Sequence, residues 1–284
     1  MPEADSTRVV AFLSDYGLVD EFVGVCKAVV LGFAPDVRFV DLSHDVPAHD
    51  VRAGALTLVR AVQYLPADTI VLAVVDPGVG TERRLLAVEC EHVTLVGPDN
   101  GLLAPAVAMV GGAQQVVELT NDEFRLPSPG PTFAGRDVLA PAVAQLALGT
   151  DVAELGRAVD PNSLVPGLLG LPQFEDGGAV ASQVWWVDRF GNCQLNVGPD
   201  ELEALGAERG GPVEVHLPGG ATRAARWVHT YADARASELV LVVDSYGLLS
   251  LALDRRSAAA EHGLNAGSAV TLVPPGASVA TTTA

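Results

Sequence analysis

The most apolar strand-like stretch of the chain, TIVLAVV at residues 69–75, runs directly into DPGVGT at residues 76–81. An uninterrupted apolar run that ends at a turn is typical of a strand buried on both faces of a parallel sheet. Asp76 therefore stands at the carboxyl end of a buried strand, and the glycines after it let the chain turn sharply. Because ligands of open α/β sheets bind outside this edge, the stretch predicts both a fold class and a place for function.

The segments around this strand alternate between strand and helix periodicity. Their order is strand 8–13, helix 21–33, strand 37–42, helix 51–64, strands 69–75, 85–89 and 93–96, and helix 138–147. Such an alternation with continuous apolar strands predicts a mainly parallel sheet covered by helices on both faces. We therefore predict an α/β N-terminal domain over residues 7–162.

The pattern changes in the second half of the chain. Residues 163–178 contain many prolines and glycines with little periodicity, which predicts an interdomain linker. Short apolar segments separated by Gly, Pro and Asp turns follow, and they predict a smaller antiparallel β-barrel or sandwich over residues 179–275. The last residues, 276–284, are mostly Ala and Thr and predict a disordered tail.

The chain is strongly acidic. It has 17 Lys and Arg against 35 Asp and Glu, a formal net charge of −18, and Lys27 is its only lysine. This balance excludes nucleic acid and anionic membrane surfaces as partners, since both require a basic face. No apolar run reaches the length of a membrane span, and residues 1–8 lack the features of a signal peptide. We therefore expect a cytoplasmic location.

The cysteines and histidines show no spacing typical of metal ligands. Cys26, Cys90 and Cys193 are too few and too scattered for a disulfide framework, and we expect buried free thiols. His44 and His49 lie in the polar segment after the second strand and are interpreted as exposed loop histidines. We expect no metal site.

Asp76 and Arg83 are the strongest candidate site residues. The glycine turn between them lets Arg83 fold back onto Asp76, and a carboxylate held by a guanidinium has a fixed direction that suits orienting a water or binding a hydroxyl. The same segment is also explained as a simple turn, and Asp15, after the first strand, as the N-cap of the next helix. Composition and spacing thus predict a two-domain protein with a polar cleft and leave its reaction open.

Seven short segments occur in an order that resembles a known family. They are Ser14-Asp15-Tyr16-Gly17, Ser43-His44-Asp45-Val46-Pro47, Asp76-Pro77-Gly78-Val79-Gly80-Thr81 with Arg83, Gly97-Pro98-Asp99-Asn100-Gly101, Thr132-Phe133 with Gly135-Arg136-Asp137, Asp188-Arg189-Phe190-Gly191-Asn192 and Asp244-Ser245-Tyr246-Gly247. From about residue 8 to about residue 273 the chain resembles the adenosine-forming S-adenosyl-L-methionine (SAM) hydrolases, or SAM hydroxide adenosyltransferases. These enzymes are relatives of the fluorinases and chlorinases.

The resemblance implies a fold, an assembly and a reaction. It implies an N-terminal α/β domain, a C-terminal β domain and a homotrimer with the ligand between subunits. The implied reaction is attack of water or hydroxide on the ribose C5′ of SAM, which gives adenosine and L-methionine. The sulfonium departs as a neutral thioether, so we expect neither a metal nor a cofactor, and SAM is the substrate.

The resemblance also assigns roles in the N-terminal half. Asp76 and Arg83 match two members of an Asp–Arg–His set that handles the water, while Ala134 occupies the position of the family histidine. Asp15 matches the acceptor of the ribose hydroxyls. His49 falls where relatives place an aromatic side chain beside the adenosine. The loss of the histidine implies slower turnover, in a natural variant or in a form altered to retain ligand.

Further binding positions lie in the C-terminal half. By resemblance they hold the methionine ammonium and carboxylate, pack beside them, or contact adenine through the backbone. These positions are Asp188 and Asn192 for the amino acid, Phe190 packing nearby, Ser245 as a second carboxylate contact, and Arg256 to Ala258 for adenine.

Two alternative functions stay open. Ala134 favours a non-catalytic SAM- or adenosine-binding protein, whereas the retained Asp76 and Arg83 favour the hydrolase. A SAM-dependent halogenase is less favoured, because halogenating relatives carry an aromatic residue in place of this aspartate and an anionic Asp76 repels halide.

Overall fold

The computed structural model describes residues 7–175, 177–204 and 206–277. The chain divides into two compact units, one through Leu168 and one from Leu169 onward. Most of the predicted disordered tail, residues 278–284, lies outside the described residues.

The first unit is built on a seven-stranded sheet with helices. Its elements are β1 (Val9–Ser14), α1 (Phe22–Phe33), β2 (Arg38–Ser43), α2 (Val51–Val62), β3 (Thr69–Val74), β4 (Leu85–Glu89), β5 (Val93–Pro98), α3 (Ala104–Met109), β6 (Gln115–Glu118), a π-helical turn (Gly135–Leu139), α4 (Ala140–Ala147) and β7 (Arg157–Ala158). The strand order is β2-β1-β3-β5-β4-β6-β7. Strands β2, β1, β3 and β5 pair in parallel, whereas β4, β6 and β7 add antiparallel pairings. The prediction of a mainly parallel sheet is confirmed.

The parallel strands bring their carboxyl ends to one edge of the sheet. Ser14 at the end of β1 pairs with Val74 at the end of β3, and all six residues of β3 are buried. The segments that follow β1, β2, β3 and β5 therefore leave the sheet side by side, as a strand order of this kind requires. This edge carries the polar motifs that begin at Ser14, Ser43, Asp76 and Gly97.

The second unit is a closed β-barrel. Its elements are β8 (Gln173–Phe174), β9 (Val180–Val187), β10 (Cys193–Leu195), α5 (Pro199–Ala204), β11 (Pro212–His216), β12 (Thr222–Trp227), β13 (Leu239–Val243), β14 (Leu249–Ala252), α6 (Ala258–His262) and β15 (Ala269–Val273). The order β10-β14-β13-β12-β11-β15-β9 closes on itself because β9 also pairs with β10. Trp227 and Leu251 are among the fully buried side chains that fill its interior.

One pairing in the barrel differs from the antiparallel arrangement that the sequence predicts. β12 and β13 run parallel, with Ala225 opposite Leu239 and Trp227 opposite Leu241. Parallel neighbours need a crossover connection rather than a tight turn, and residues 228–238 supply it. The other neighbouring pairs of the barrel are antiparallel.

The segment predicted as a linker, residues 163–178, takes part in both units at its ends. Arg84 donates to the Oγ and the carbonyl oxygen of Ser163 at 3.0 and 2.6 Å, and the Val165 amide donates to Asp99 Oδ1 at 2.9 Å. Farther along, β8 pairs with β9. Residues 163–165 thus form a strap that is tied to the end of β5.

The three cysteines are free and buried, as predicted. In the described ranges, no three His, Cys, Asp or Glu side chains come together in a group that could hold a metal ion. Over the same part of the chain, every helix is too short or too polar to cross a membrane.

Candidate functional site

Asp76 follows β3, and its carboxylate forms a two-pronged ion pair with Arg83. Arg83 Nε donates to Oδ1 and Oδ2 of Asp76 at 3.1 and 2.8 Å, and Nη2 donates to Oδ2 at 2.5 Å. The Asp76 side chain is 6% exposed and that of Arg83 14%. A guanidinium that engages both oxygens fixes the plane and direction of the carboxylate, so the remaining lone pairs point in defined directions.

The backbone around Asp76 is held by its neighbours. The Gly78 amide donates to Asp76 Oδ1 at 3.2 Å, and Asn100 Nδ2 donates to the Val75 carbonyl at 2.8 Å. A Cβ on Gly97 would lie 2.4 Å from the carbonyl oxygen of Ala73, so only glycine allows β5 this close to β3. The Gly97–Gly101 motif therefore supports the end of β3 and with it Asp76.

Ala134 and Arg83 line one cavity of about 330 Å³, together with Asp137. Ala134 is the residue before the π-helical turn, an irregularity that is frequent at functional sites. In that turn Asp137 is buried and accepts hydrogen bonds from Arg136 Nε and Nη2 at 2.6 and 3.0 Å. Arg83 thus forms an ion pair with Asp76 and shares this cavity with Ala134.

Tyr16 connects these groups to Asp15. A Cβ on Gly135 would lie 2.3 Å from the Tyr16 hydroxyl, so the ring packs directly against the start of the π-helical turn. Burial, the neighbouring Cys26 and the carboxylates of Asp15 and Asp76 raise the pKa of Tyr16, while Arg83 acts in the opposite direction. Tyr16 is a further candidate site residue that the sequence analysis does not identify, although it lies in the Ser14–Gly17 motif.

Asp15 and His49 are brought together by a hydrogen bond between two loops. The His49 amide donates to Asp15 Oδ2 at 2.8 Å. His49 has φ 68°, a left-handed conformation that is uncommon for a residue with a side chain, and it is exposed as expected. Asp15 does not cap α1, because residue Glu21 is the N-cap there and Asp50 caps α2. The simple-cap interpretation of Asp15 is therefore wrong.

In the second unit, Asp188 and Asn192 form the turn of the β9–β10 hairpin. Asp188 Oδ1 accepts from the amides of Phe190 and Asn192, each at 2.8 Å, and Oδ2 accepts from Asn192 Nδ2 at 2.8 Å. The Phe190 ring is left 77% exposed. A Cβ on Gly191 would lie 2.0 Å from Ser257 Oγ, so glycine is required for the turn to pack against the segment that contains Ser257.

The segment from Arg256 to Ala258, for which the resemblance implies adenine contacts, lies against the same turn. The Ala259 amide donates to the Gly191 carbonyl at 2.9 Å, and Ala258 is fully buried. Arg256 pairs with Glu261 and donates to Ser237 Oγ at 3.2 Å. The structure thus places Ala258 close to the Asp188 turn, whereas the Arg256 side chain is engaged with other groups.

Ser245 is exposed in the turn between β13 and β14. Asp244 orders that turn by accepting from the amides of Tyr246 and Leu248 at 2.8 and 3.2 Å, and it also accepts from Gln194 on β10. Tyr231 lies close enough to both turns that burial and the charges of Asp188 and Asp244 raise its pKa. Tyr231 lies in none of the motifs, so local sequence gives no signal for it.

Two comparisons of sequence identify the family. The profile described as the SAM hydroxide adenosyltransferase N-terminal domain matches residues 10–156, and the one described as the C-terminal domain matches residues 182–271. The chain belongs to the SAM hydroxide adenosyltransferase family. This confirms the resemblance that the seven ordered segments indicated.

Members and relatives of the SAM hydroxide adenosyltransferase family match over nearly the whole chain. The chain is 43% identical over 261 residues to the (R)-S-adenosyl-L-methionine hydrolase of Salinispora tropica, covering 92% of this chain and 96% of that protein. It is 39% identical to the protein of the same name from Thermus thermophilus, covering 94% and 100%. A fluorinase from Actinoplanes is 28% identical over 294 residues, covering 95% and 98%.

A solved structure shares the fold. An uncharacterized conserved protein from Thermotoga maritima aligns with a TM-score of 0.85 and 30% identity, covering 93% of this chain and 99% of that one. The similarity therefore extends over both units of this SAM hydroxide adenosyltransferase family member.

Proposed function

We propose that this protein hydrolyses SAM to adenosine and L-methionine. The observation that carries the proposal is the buried Asp76 carboxylate at the carboxyl edge of the sheet, held by Arg83, which itself lines a cavity with Ala134. Family membership and relatives named (R)-S-adenosyl-L-methionine hydrolase support the same reaction.

The proposed mechanism is an in-line substitution at carbon. Asp76 accepts a hydrogen bond from a water, and Arg83 holds the carboxylate so that the water oxygen is aimed at C5′. The new C5′–O bond forms as the C5′–S bond breaks, and its electron pair stays on sulfur as the neutral thioether of L-methionine. The water gives up one proton, which Asp76 draws off and releases to solvent. Because the leaving group is neutral, the reaction as proposed uses no metal, cofactor or general acid.

Ala134 makes this chain a slow member of the family in our proposal. A methyl group neither accepts a proton nor orders a water, so proton removal depends on Asp76 alone. General-base assistance is worth about 10²–10⁴-fold in rate, and its absence sets the scale of the expected impairment.

Recognition of SAM is proposed to use residues of both units in a homotrimer with sites at subunit interfaces. Asp15 and His49 receive the ribose and adenine end, while Asp188, Asn192 and Ser245 receive the amino acid end. The support is that these residues stand on turns ordered by their own hydrogen bonds. Light scattering on the purified protein tests the trimer.

A non-catalytic SAM- or adenosine-binding protein is the second candidate, and Ala134 is the observation that favours it. Halogenation is disfavoured, because the anionic Asp76 carboxylate would repel a halide at the position that we propose for the attacking water. The binding protein would form no product, and the halogenase would form a halogenated adenosine in place of adenosine.

Chromatography of purified protein incubated with SAM, in chloride or fluoride buffer, tests the proposal beside an Ala134→His variant. We expect adenosine and L-methionine from both forms, with faster release from Ala134→His. Halogenated adenosine would establish the halogenase instead. If calorimetry detects SAM binding and neither form makes product, the protein is a binding protein and the roles of Asp76 and Arg83 are wrong.

A further inference from the structure

A row of four polar side chains lies behind Asp15 and takes no part in the mechanism above. Ser14 Oγ lies 2.7 Å from His44 Nδ1, and His44 Nε2 lies 3.1 Å from Asp41 Oδ1. Asp41 Oδ2 accepts from Lys27 Nζ at 2.6 Å. Ser14 lies in β1, Asp41 in β2, His44 in the loop after β2 and Lys27 in α1. This row of side chains therefore connects the two strands next to the site.

The Ser14–His44 pair is sealed from solvent. Ser14 is 0% exposed and His44 is 5% exposed, and the Phe12 ring packs edge-on against the imidazole at 4.7 Å. The expectation that His44 is an exposed loop histidine is therefore wrong, because the parallel pairing of β1 with β2 turns this side chain onto the end of β1. A buried polar pair of this kind is costly to break, since each partner would be left unsatisfied.

Ser14 and His44 also make hydrogen bonds that hold together the loops that carry Asp15 and His49. The Gly17 amide donates to the His44 carbonyl at 2.7 Å, and the Tyr16 amide lies 3.4 Å from Ser14 Oγ. A further hydrogen bond between the same two loops runs from the His49 amide to Asp15 Oδ2. Asp15 is thus held between Ser14, its neighbour in the chain, and the loop that begins at His44.

Ser14, His44 and Asp41 have the composition of a nucleophilic triad, but the burial of Ser14 rules out that use. A nucleophile must reach its substrate, and the Ser14 hydroxyl is fully enclosed. A positioning role does not require Ser14 to contact the substrate. It benefits from burial, because a side chain locked by packing and hydrogen bonds holds its neighbours in place.

We infer that Ser14 and His44 are positioning residues that aim the Asp15 carboxylate at the 2′,3′-diol of the nucleoside. The inference rests on the proposed function, in which Asp15 receives the ribose hydroxyls. It extends that function by naming a buried pair that determines how strongly the site distinguishes a ribose from a sugar without hydroxyls.

The test measures a ratio of affinities rather than an activity. Calorimetry gives the dissociation constants of adenosine and 2′,3′-dideoxyadenosine for the unsubstituted chain, Asp15→Ala and Ser14→Ala. We expect the unsubstituted chain to prefer adenosine, Asp15→Ala to lose the preference, and Ser14→Ala to reduce it by about tenfold, the scale of one hydrogen bond to a charged group. Ser43→Ala is the matched control, because among the residues that the structure describes Ser43 Oγ accepts a hydrogen bond only from the nearby Asp45 amide.

Two substitutions of His44 provide a second, independent measurement. The amide of His44→Asn occupies the Nδ1 position and can keep the hydrogen bond to Ser14, whereas that of His44→Gln reaches the Nε2 position and keeps only the contact with Asp41. We expect His44→Asn to retain the preference for adenosine and His44→Gln to lose it. Thermal melts of each variant confirm that the compared proteins are folded.

The outcomes separate this inference from the proposed function. If the unsubstituted chain shows no preference for the diol, or if Asp15→Ala keeps it, the role of Asp15 is wrong and the inference falls with it. If Asp15→Ala loses the preference while Ser14→Ala and His44→Gln keep it, the inference alone is overturned. An equal loss in Ser43→Ala would reduce the effect to general loosening of the loop and would also overturn it.

Discussion

Two adjacent arginines in the first unit make the same kind of pair and end in different surroundings. Arg83 binds Asp76 after β3, and Arg84 binds Asp99 after β5, with Nε–Oδ2 distances of 2.8 Å in both cases. The carboxylates are almost equally buried, at 6% and 4% exposed. The charge, the Nε–Oδ2 distance and the burial of the carboxylate therefore do not distinguish the two pairs.

The difference lies in what each pair faces. Arg84 also donates to Ser163, and the free oxygen of Asp99 accepts from the Val165 amide, so that pair is closed by the strap. Arg83 instead lines the cavity with Ala134. We therefore expect the Arg84–Asp99 pair, which protein covers, to be structural, and we propose that the Arg83–Asp76 pair serves the reaction.

A third Arg–carboxylate pair, in the second unit, is more exposed to solvent than the first two. Arg226 binds Glu238 through Nε and Nη2 at 2.8 and 2.7 Å, with both side chains more than a fifth exposed. Solvent screens such pairs, so we expect this one to contribute little to stability and nothing to reaction.

The largest expected effect separates the first two pairs. Asp76→Asn should lower kcat for SAM hydrolysis by about 10²–10⁴-fold while SAM still binds, because an amide is a poor proton acceptor. Asp99→Asn should keep the kcat of the folded protein and lower its free energy of unfolding by about 2 kcal/mol, since it weakens charged hydrogen bonds to Arg84. Steady-state kinetics and denaturant melts on both variants check this. Equal loss of kcat in the two would remove the distinction.

The next effect concerns the cavity beside Arg83. Ala134→His should raise kcat by about 10²-fold, because an imidazole there can take the water proton. Free imidazole in the buffer should accelerate the unsubstituted chain and leave Ala134→His unchanged at the same pH. A rate for Ala134→His equal to that of the unsubstituted chain would mean that this side of the cavity takes no part in proton transfer.

A smaller effect is expected from the carboxylate of the β9–β10 turn. Asp188→Asn should raise KM for SAM about tenfold with little change in kcat, because it removes the charge that we propose binds the substrate ammonium and leaves the proposed attacking water untouched. Asp200→Asn, an exposed acid at the start of α5 in the same unit, is the control and should alter neither constant. A fall in kcat for Asp188→Asn would place this turn in the chemistry.

The smallest effect is expected at the exposed pair. The hydrogen bonds from Arg226 and the Arg235 amide lower the pKa of Glu238 to about 2, against the opposing effect of burial. Because the pKa of Glu238 is lower in the folded protein, its ionisation stabilises the fold at pH values above the ordinary glutamate pKa. This contribution is lost as the pH falls toward the folded-state pKa. Because solvent screens this pair, Glu238→Gln should lower Tm by only about 1 °C at pH 7, and the difference from the unsubstituted protein should disappear between about pH 4.5 and pH 2. Melts across that range measure it, and hydrolysis should be unchanged.

The edge of the first sheet was predictable because local sequence encodes it. Continuous apolar runs indicate parallel strands, and the motifs at Asp15 and Asp76 stand where those runs end. The short loop between Asp76 and Arg83 also made their pairing predictable, since few residues separate them.

What escaped prediction depends on distant neighbours. The burial of His44 follows from the partner that β1 provides, and the parallel pairing of β12 with β13 follows from the crossover at 228–238. Tyr231 nears Asp188 only in the folded barrel. None of these relations leaves a periodicity or a spacing in the chain, so a reading of local pattern has no means to find them.

The most direct test of the central claim follows the oxygen that attacks carbon. The protein is incubated with SAM in water enriched in ¹⁸O, and the products are analysed by mass spectrometry. Attack of water aimed by Asp76 at C5′ predicts one ¹⁸O in the 5′-hydroxyl of adenosine and none in L-methionine. Adenosine without the label, or label in L-methionine instead, would contradict it.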